Sequence, residues 1–180
     1  MKKIRNAFAG IAVLIFALSF ETLKDWYFVE SPEFSIEFPK KPDATNQNLS
    51  TEIGELKTEM FMYEASEDED VNFLYGLITS EYPDSLINSG KTAMLPTFFR
   101  NAVDAFVKNV QGKLLSEKPI EINGFPGKEV KIYFQDSAAI IKMRLYLVRN
   151  KAYVMQTITE TSEDNNADVM RFHNSFKLKK

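Results

Sequence analysis

Residues 92–112, TAMLPTFFRNAVDAFVKNVQG, break the periodicity of the sequence on either side of them. Leu95, Phe98, Phe99, Ala102, Val103, Phe106 and Val110 recur here at intervals of three and four, which is the spacing of a helix with a broad apolar face. Pro96 is tolerated only in or near the first turn of such a helix, and Gly112 stands where a C-terminal cap belongs. A face that wide has to be buried, and the flanking sequence supplies strands to bury it against. An aromatic stripe at helical spacing therefore reads as core packing, not as a ligand groove.

Upstream, three segments alternate with period two. In FSIEF, Phe34, Ile36 and Phe38 alternate with Ser35 and Glu37, and Pro39 and Pro42 end the run. In GELKTEMFMYEA, Leu56, Met60 and Met62 share one face, and Phe61 and Tyr63 the other. VNFLYGLITSEY is apolar on both faces (Val71, Phe73, Tyr75 and Leu77 against Leu74 and Ile78), as a central strand covered on both sides would be. Downstream, KLLSEKPIEI and GKEVKIYF flank the turn NGFPG, where Asn123-Gly124 suits positive φ and Pro126-Gly127 suits a type II turn. AIIKMRLYLVRN and AYVMQTITE read as a hairpin joined at RNK. SEDNNADVMRFHNSF then offers capping residues ahead of Val169, Met170, Phe172, His173 and Phe176, a short final helix followed by a tail or brief strand. The order is three strands, a helix, four strands and a helix, with both faces of the sheet needing cover. No linker or repeat divides residues 27–180, so residues 20–180 are expected to form one domain.

The first twenty residues stand apart. MKKIRNAFAGIAVLIFALSF places Lys2, Lys3 and Arg5 before an uncharged run that Glu21 ends, the pattern of a secretory signal and too short for a membrane-spanning helix. Ala17-Leu18-Ser19 has the small residues that signal peptidase reads, which predicts a signal peptide over residues 1–19. With no cysteine in the chain there is no lipoprotein anchor, no disulfide and no thiolate metal site. The expected location is exported, periplasmic or extracellular, with membrane contact only through an uncleaved N-terminus. Removing residues 1–19 takes three cations from the 22 Lys and Arg, leaving 19 against 25 Asp and Glu, a net charge of −6. That balance argues against nucleic acid as a partner.

The chemical inventory is thin. The chain lacks a Gly-x-Ser-x-Gly elbow, and its one histidine, His173, reads as a helix residue at the domain edge rather than a general base. SEDED, residues 66–70, lacks the spacing and glycine of a calcium loop and reads as a charged hairpin tip. Gly124 and Gly127 precede a strand, whereas a phosphate-cradling loop needs a helix there. Trp26-Tyr27-Phe28 reads as an edge segment whose aromatics cover one end of the core, in preference to a membrane-interface belt. No residue is assigned a catalytic, cofactor-binding or metal-binding role, no cofactor is expected, and the chain is read as not an enzyme.

Three phrases carry a resemblance: FSIEFPKKP at the opening, INGFPGKE before a late strand, and RFHNSFKL at the close. Together they resemble small bacterial PsbP-like proteins over most of residues 27–178. The resemblance implies an α+β fold in which an antiparallel sheet of about six to seven strands packs between helices. It also implies a non-enzymatic binding or assembly role, since the wider superfamily includes the extrinsic photosystem II subunit, a nuclear factor that binds Ran, and chaperones of secretion-system effectors. The matched positions are strand and turn residues, so no functional residue carries over. The leading expectation is an exported accessory or adaptor protein of the bacterial envelope with a protein partner. The alternatives are a carrier of a small apolar ligand between the sheet and the Leu95–Val110 helix, and a hydrolase built on carboxylates.

Overall fold

The computed structural model describes residues 25–51, 54–65, 70–134, 136 and 138–179. The expected signal segment, residues 1–19, and residues 66–69 of the acidic run lie outside the described residues. The elements are β1 (Tyr27–Glu30), β2 (Phe34–Phe38), β3 (Asp43–Thr51), β4 (Gly54–Glu64), β5 (Asn72–Glu81), α1 (Leu95–Asn109), β6 (Lys113–Ile122), β7 (Phe125–Phe134), β8 (Ala139–Val148), β9 (Lys151–Glu160), α2 (Ala167–Ser175) and β10 (Lys177–Leu178). Seven strands form one sheet in the order β3-β4-β5-β9-β8-β7-β6, and every pairing in it is antiparallel. A second sheet of three strands runs β1-β2-β10.

The alternation along β8 shows how the layers form. Ile141, Met143, Leu145 and Leu147 point to the α1 side, where they meet Phe99, Val103 and the neighbouring Val130 and Ile132. Tyr146 points the other way, into a cluster with Phe34, Ile36, Phe38, Tyr75, Leu77, Tyr153, Met155, Phe172 and Phe176. The three-stranded sheet and α2 thus cover one face of the large sheet, and α1 covers part of the other. Edge-to-face rings join the layers: Phe38 to Phe172 at 5.1 Å, Phe172 to Tyr75 at 5.4 Å and Phe34 to Tyr153 at 5.9 Å between centroids. Phe34 and Phe38 are wholly buried, and each contributes about 1.5–3 kcal/mol by leaving water.

Several sequence expectations hold and others need correction. Pro96 lies in the first turn of α1, and Asn166 caps α2 by accepting a 3.0 Å hydrogen bond from the Val169 N–H. FSIEF is β2 of the small sheet, not a strand of the large one. The cap of α1 is a Schellman turn whose left-handed residue is Gln111 (φ 52°), with the Gly112 N–H bonded to the Val107 carbonyl. Only Asn123 and Gly124 (φ 50° and 81°) make the β6–β7 turn, a two-residue hairpin. Pro126 and Gly127 are already paired within β7, so the expected type II turn is absent there. Gly127 serves close approach: a Cβ would lie 2.7 Å from the Leu145 carbonyl oxygen and 2.5 Å from the Tyr146 ring. Among the described residues no helix is long and apolar enough to cross a membrane.

Those two glycines give a matched test. Gly127→Ala forces a Cβ against backbone, so urea unfolding is expected to lose about 2–3 kcal/mol. Gly124→Ala meets open space and loses only the cost of a left-handed alanine, about 1 kcal/mol.

Candidate functional site

α2 is only nine residues long and lies over β9 and β2, so the same face of β6, β7 and β8 extends beyond it. On that extension the outward positions are polar. Ser116 and Lys118 come from β6, Glu129 and Lys131 from β7, and Lys142 and Arg144 from β8. The register sets Lys118 opposite Glu129, Glu129 opposite Arg144, and Lys131 opposite both Ser116 and Lys142. With Asn165 and Met170 they line a cleft of about 560 Å³.

Its charges are mostly paired. Glu129 bridges Lys118 (2.9 Å) and Arg144 (2.7 Å), and Lys131 pairs with Asp164. Arg144 also donates to the His173 carbonyl at 3.0 Å and to Asn174 Oδ1 at 2.9 Å, which ties the sheet to the end of α2. Burial pushes the Glu129 carboxyl up. The hydrogen bonds from Lys118 and Arg144, helped by the Lys142 and Arg144 charges, outweigh burial and hold it at about 2. Glu129 is an anchored anion, not a proton shuttle at neutral pH. Lys142 differs from its neighbours. Its residue is 2% exposed, its Nζ donates to Asn165 Oδ1 (3.0 Å) and Met170 Sδ (3.3 Å), and it has no ion-pair partner among the described residues. Burial pulls its pKa down.

His173 corrects the sequence reading. It is not at the edge but 2% exposed beneath α2, with Nε2 3.2 Å from Thr157 Oγ1 and no partner for Nδ1 among the described residues. Burial first, then Arg144 and Lys142, hold its pKa well below the ordinary value, so the ring stays neutral. Trp26 half-covers the core as expected, edge-on to Tyr75 and under the Arg171 guanidinium, whereas Tyr27 and Phe28 are exposed. Asp70, the described end of the acidic run, bonds Asn72 and the Tyr75 hydroxyl. Among the described residues no group of three or more His, Asp or Glu is placed to hold a metal.

Two apolar features lie on the α1 side. A pocket of about 430 Å³ opens between α1 and the segment before it, lined by Tyr82, Leu86, Ile87, Met94, Phe98 and Ala102 among others. Further along, Met60 and Met62 of β4 sit beside Leu74 and Ile78 of β5, with Met60 opposite Ile78 and the Met62 thioether lying over Gly76. These four are half-buried and belong to none of the three core clusters.

No protein-family model and no curated protein matches the sequence. Among solved structures, the chain is similar to cyanobacterial PsbP (CyanoP) from Synechocystis sp. PCC 6803, with a TM-score of 0.54 and 12% identity over 92% of this chain and 99% of that one. The fold is therefore PsbP-like. A protein of unknown function from Pseudomonas aeruginosa, PA94, aligns at a TM-score of 0.36 and 11% identity over 83% of this chain and 89% of that one, too distant to carry an argument.

The buried histidine should make stability depend on pH. Its folded pKa is depressed below 6.5, so its contribution is complete above that pH and is lost as the unfolded chain takes up the proton below it. Urea unfolding at pH 5.5 against 7.5 is expected to show a loss of roughly 1 kcal/mol that His173→Gln removes. Glu129 adds a separate loss only at lower pH, from about 4.5 towards 2, which Glu129→Gln should flatten.

Proposed function

We propose that this chain is an exported, non-enzymatic accessory or adaptor protein of the bacterial cell envelope, binding another protein through the uncovered face of β3, β4 and β5. The observation that carries the reading is the patch of Met60, Met62, Leu74 and Ile78 on a sheet face that α1 does not reach. Contiguous apolar surface on a folded domain marks interaction sites, and methionine-rich surfaces adapt to a partner's shape. The basic, then apolar, N-terminal sequence supports export, and the PsbP-like fold supports a binding role by analogy. The test is a crosslinked pull-down of the C-terminally tagged full-length protein from its own host's envelope fraction, beside a Met60→Lys/Ile78→Lys variant. One stoichiometric partner is expected with the natural sequence. Its recovery should fall by about tenfold in the variant at unchanged melting temperature. Equal recovery, or no partner where the bait is abundant, contradicts the reading.

The pocket beside α1 supports a second reading, carriage of a small apolar ligand, because its lining is aromatic and aliphatic with an open mouth. A native mass spectrum of freshly purified protein is then expected to show a retained adduct that Phe98→Ala reduces. A spectrum of bare protein contradicts this reading.

A further inference from the structure

The cleft over β6, β7 and β8 holds more positive charge than its own carboxylates balance. Lys118, Lys131, Lys142 and Arg144 contribute four cations. Glu129 and Asp164 contribute two anions, which leaves an excess of two. Glu117, at the rim, is committed on the opposite face of the sheet to Arg100 and Lys128. In a chain of net charge −3, this concentrates positive potential in one concave place.

Lys142 is the centre of that excess. An ammonium has three N–H donors, and here one goes to an amide oxygen and one to a thioether. The third has no partner among the described residues. A buried cation without an ion-pair partner is costly, and its neighbours along the same face of β8 include the buried Ile140 and Tyr146. Asn165, the acceptor that positions Nζ, is itself held in the left-handed region (φ 66°). Nearby, Asp164 presents a buried Oδ1 with no partner among the described residues, so its hold on Lys131 runs through one oxygen only. Lys131 is also 18% exposed in its side chain and Lys118 64%, so both can move towards an arriving anion.

We propose that this cleft binds a small organic polyanion, with one carboxylate or phosphate oxygen on Lys142 Nζ and the remaining negative charge shared by Lys131 and Lys118. The cleft volume suits a metabolite-sized ligand rather than a bare monoatomic ion. Oxyanions take charge-assisted bonds from ammonium groups, and the exposed Lys118 side chain stands where a charged ligand would enter. The proposal stands apart from the sheet face above and does not depend on it.

The probes are citrate for the carboxylate class and inorganic pyrophosphate for the phosphate class, titrated into the full-chain protein at constant ionic strength. Amide chemical shifts in the natural sequence are expected to move around residues 116–118, 129–131, 142–144 and 165, and calorimetry should return a sub-millimolar constant for one probe. Lys142→Met, which removes an unbalanced buried charge, should melt no lower than the natural sequence and weaken that probe by about tenfold or more. If Lys142→Met fails to fold, the shift map alone decides. Absence of shifts with both probes at millimolar concentration overturns the proposal. So do shifts scattered over surface lysines such as Lys108, or equal affinity in the variant.

Discussion

Seven strands spaced by about 4.8 Å make a sheet roughly 29 Å wide, whereas an α-helix with its side chains covers a strip about 10–12 Å across. The features of interest follow from that mismatch. One 15-residue helix on one face shields β7, β8 and β9, and β3, β4 and β5 are left without it. On the opposite face the nine-residue α2 is supplemented by a three-stranded sheet. The pair covers β4, β5, β9 and the Tyr146 end of β8 with Ile120 and Ile122 of β6, but leaves the stretch of β6 and β7 around Ser116, Lys118, Glu129 and Lys131 outside that core. Among the described residues, the two regions left uncovered therefore lie diagonally across the sheet. One stayed apolar and the other became charged.

That difference follows from the neighbouring side chains. On the diagonal near β4, Met60, Met62, Leu74 and Ile78 form a half-buried apolar patch bordered by polar residues of the same face, Asp43 and Thr45 on β3, Glu64 on β4 and the Thr58–Ser80 pair. On the diagonal near β7, the outward positions are ionic apart from Ser116, and the ions are arranged in register so that Glu129 sits between Lys118 and Arg144. The Arg144 link to the His173 carbonyl then fastens the free end of α2 to the charged side. The aromatic contacts of Phe38, Phe172 and Tyr75 fasten its other face. α2 is held by packing on one side and by a charge network on the other, and its buried His173 stays neutral between them.

Much of this architecture was legible in the sequence. Period two gave β2, β4, β5 and the β6–β9 hairpins, period 3.6 gave α1, capping residues ahead of an apolar cluster gave α2, and the quoted phrases gave the PsbP-like arrangement. β3 was missed because Asp43–Asn48 is exposed throughout and carries no apolar alternation, as an edge strand does not require it. β1 was missed because Val29 is its one buried residue. The small sheet could not be read either, since β10 has two residues and its partner is more than a hundred positions away. The cleft is the clearest case of what a linear reading loses. Lys142 and Arg144 alternate with apolar residues in AIIKMRLYLVRN, but Lys118 and Glu129 join them only through sheet register, and Asn165 only through the fold of the segment before α2. His173, between Phe172 and Asn174 on the last helix, read as an edge residue, while α2 turns the ring itself onto Thr157.

Uncovered sheet as a binding surface is the central claim, and photo-crosslinking from a single position tests it most directly. A crosslinking amino acid in place of Ile78 on the open face, and another in place of Lys108 on the solvent side of α1, would be activated in intact cells of the host. The account predicts one discrete adduct from position 78 and none from position 108. An adduct from 108 alone, or bare protein from both, would contradict it.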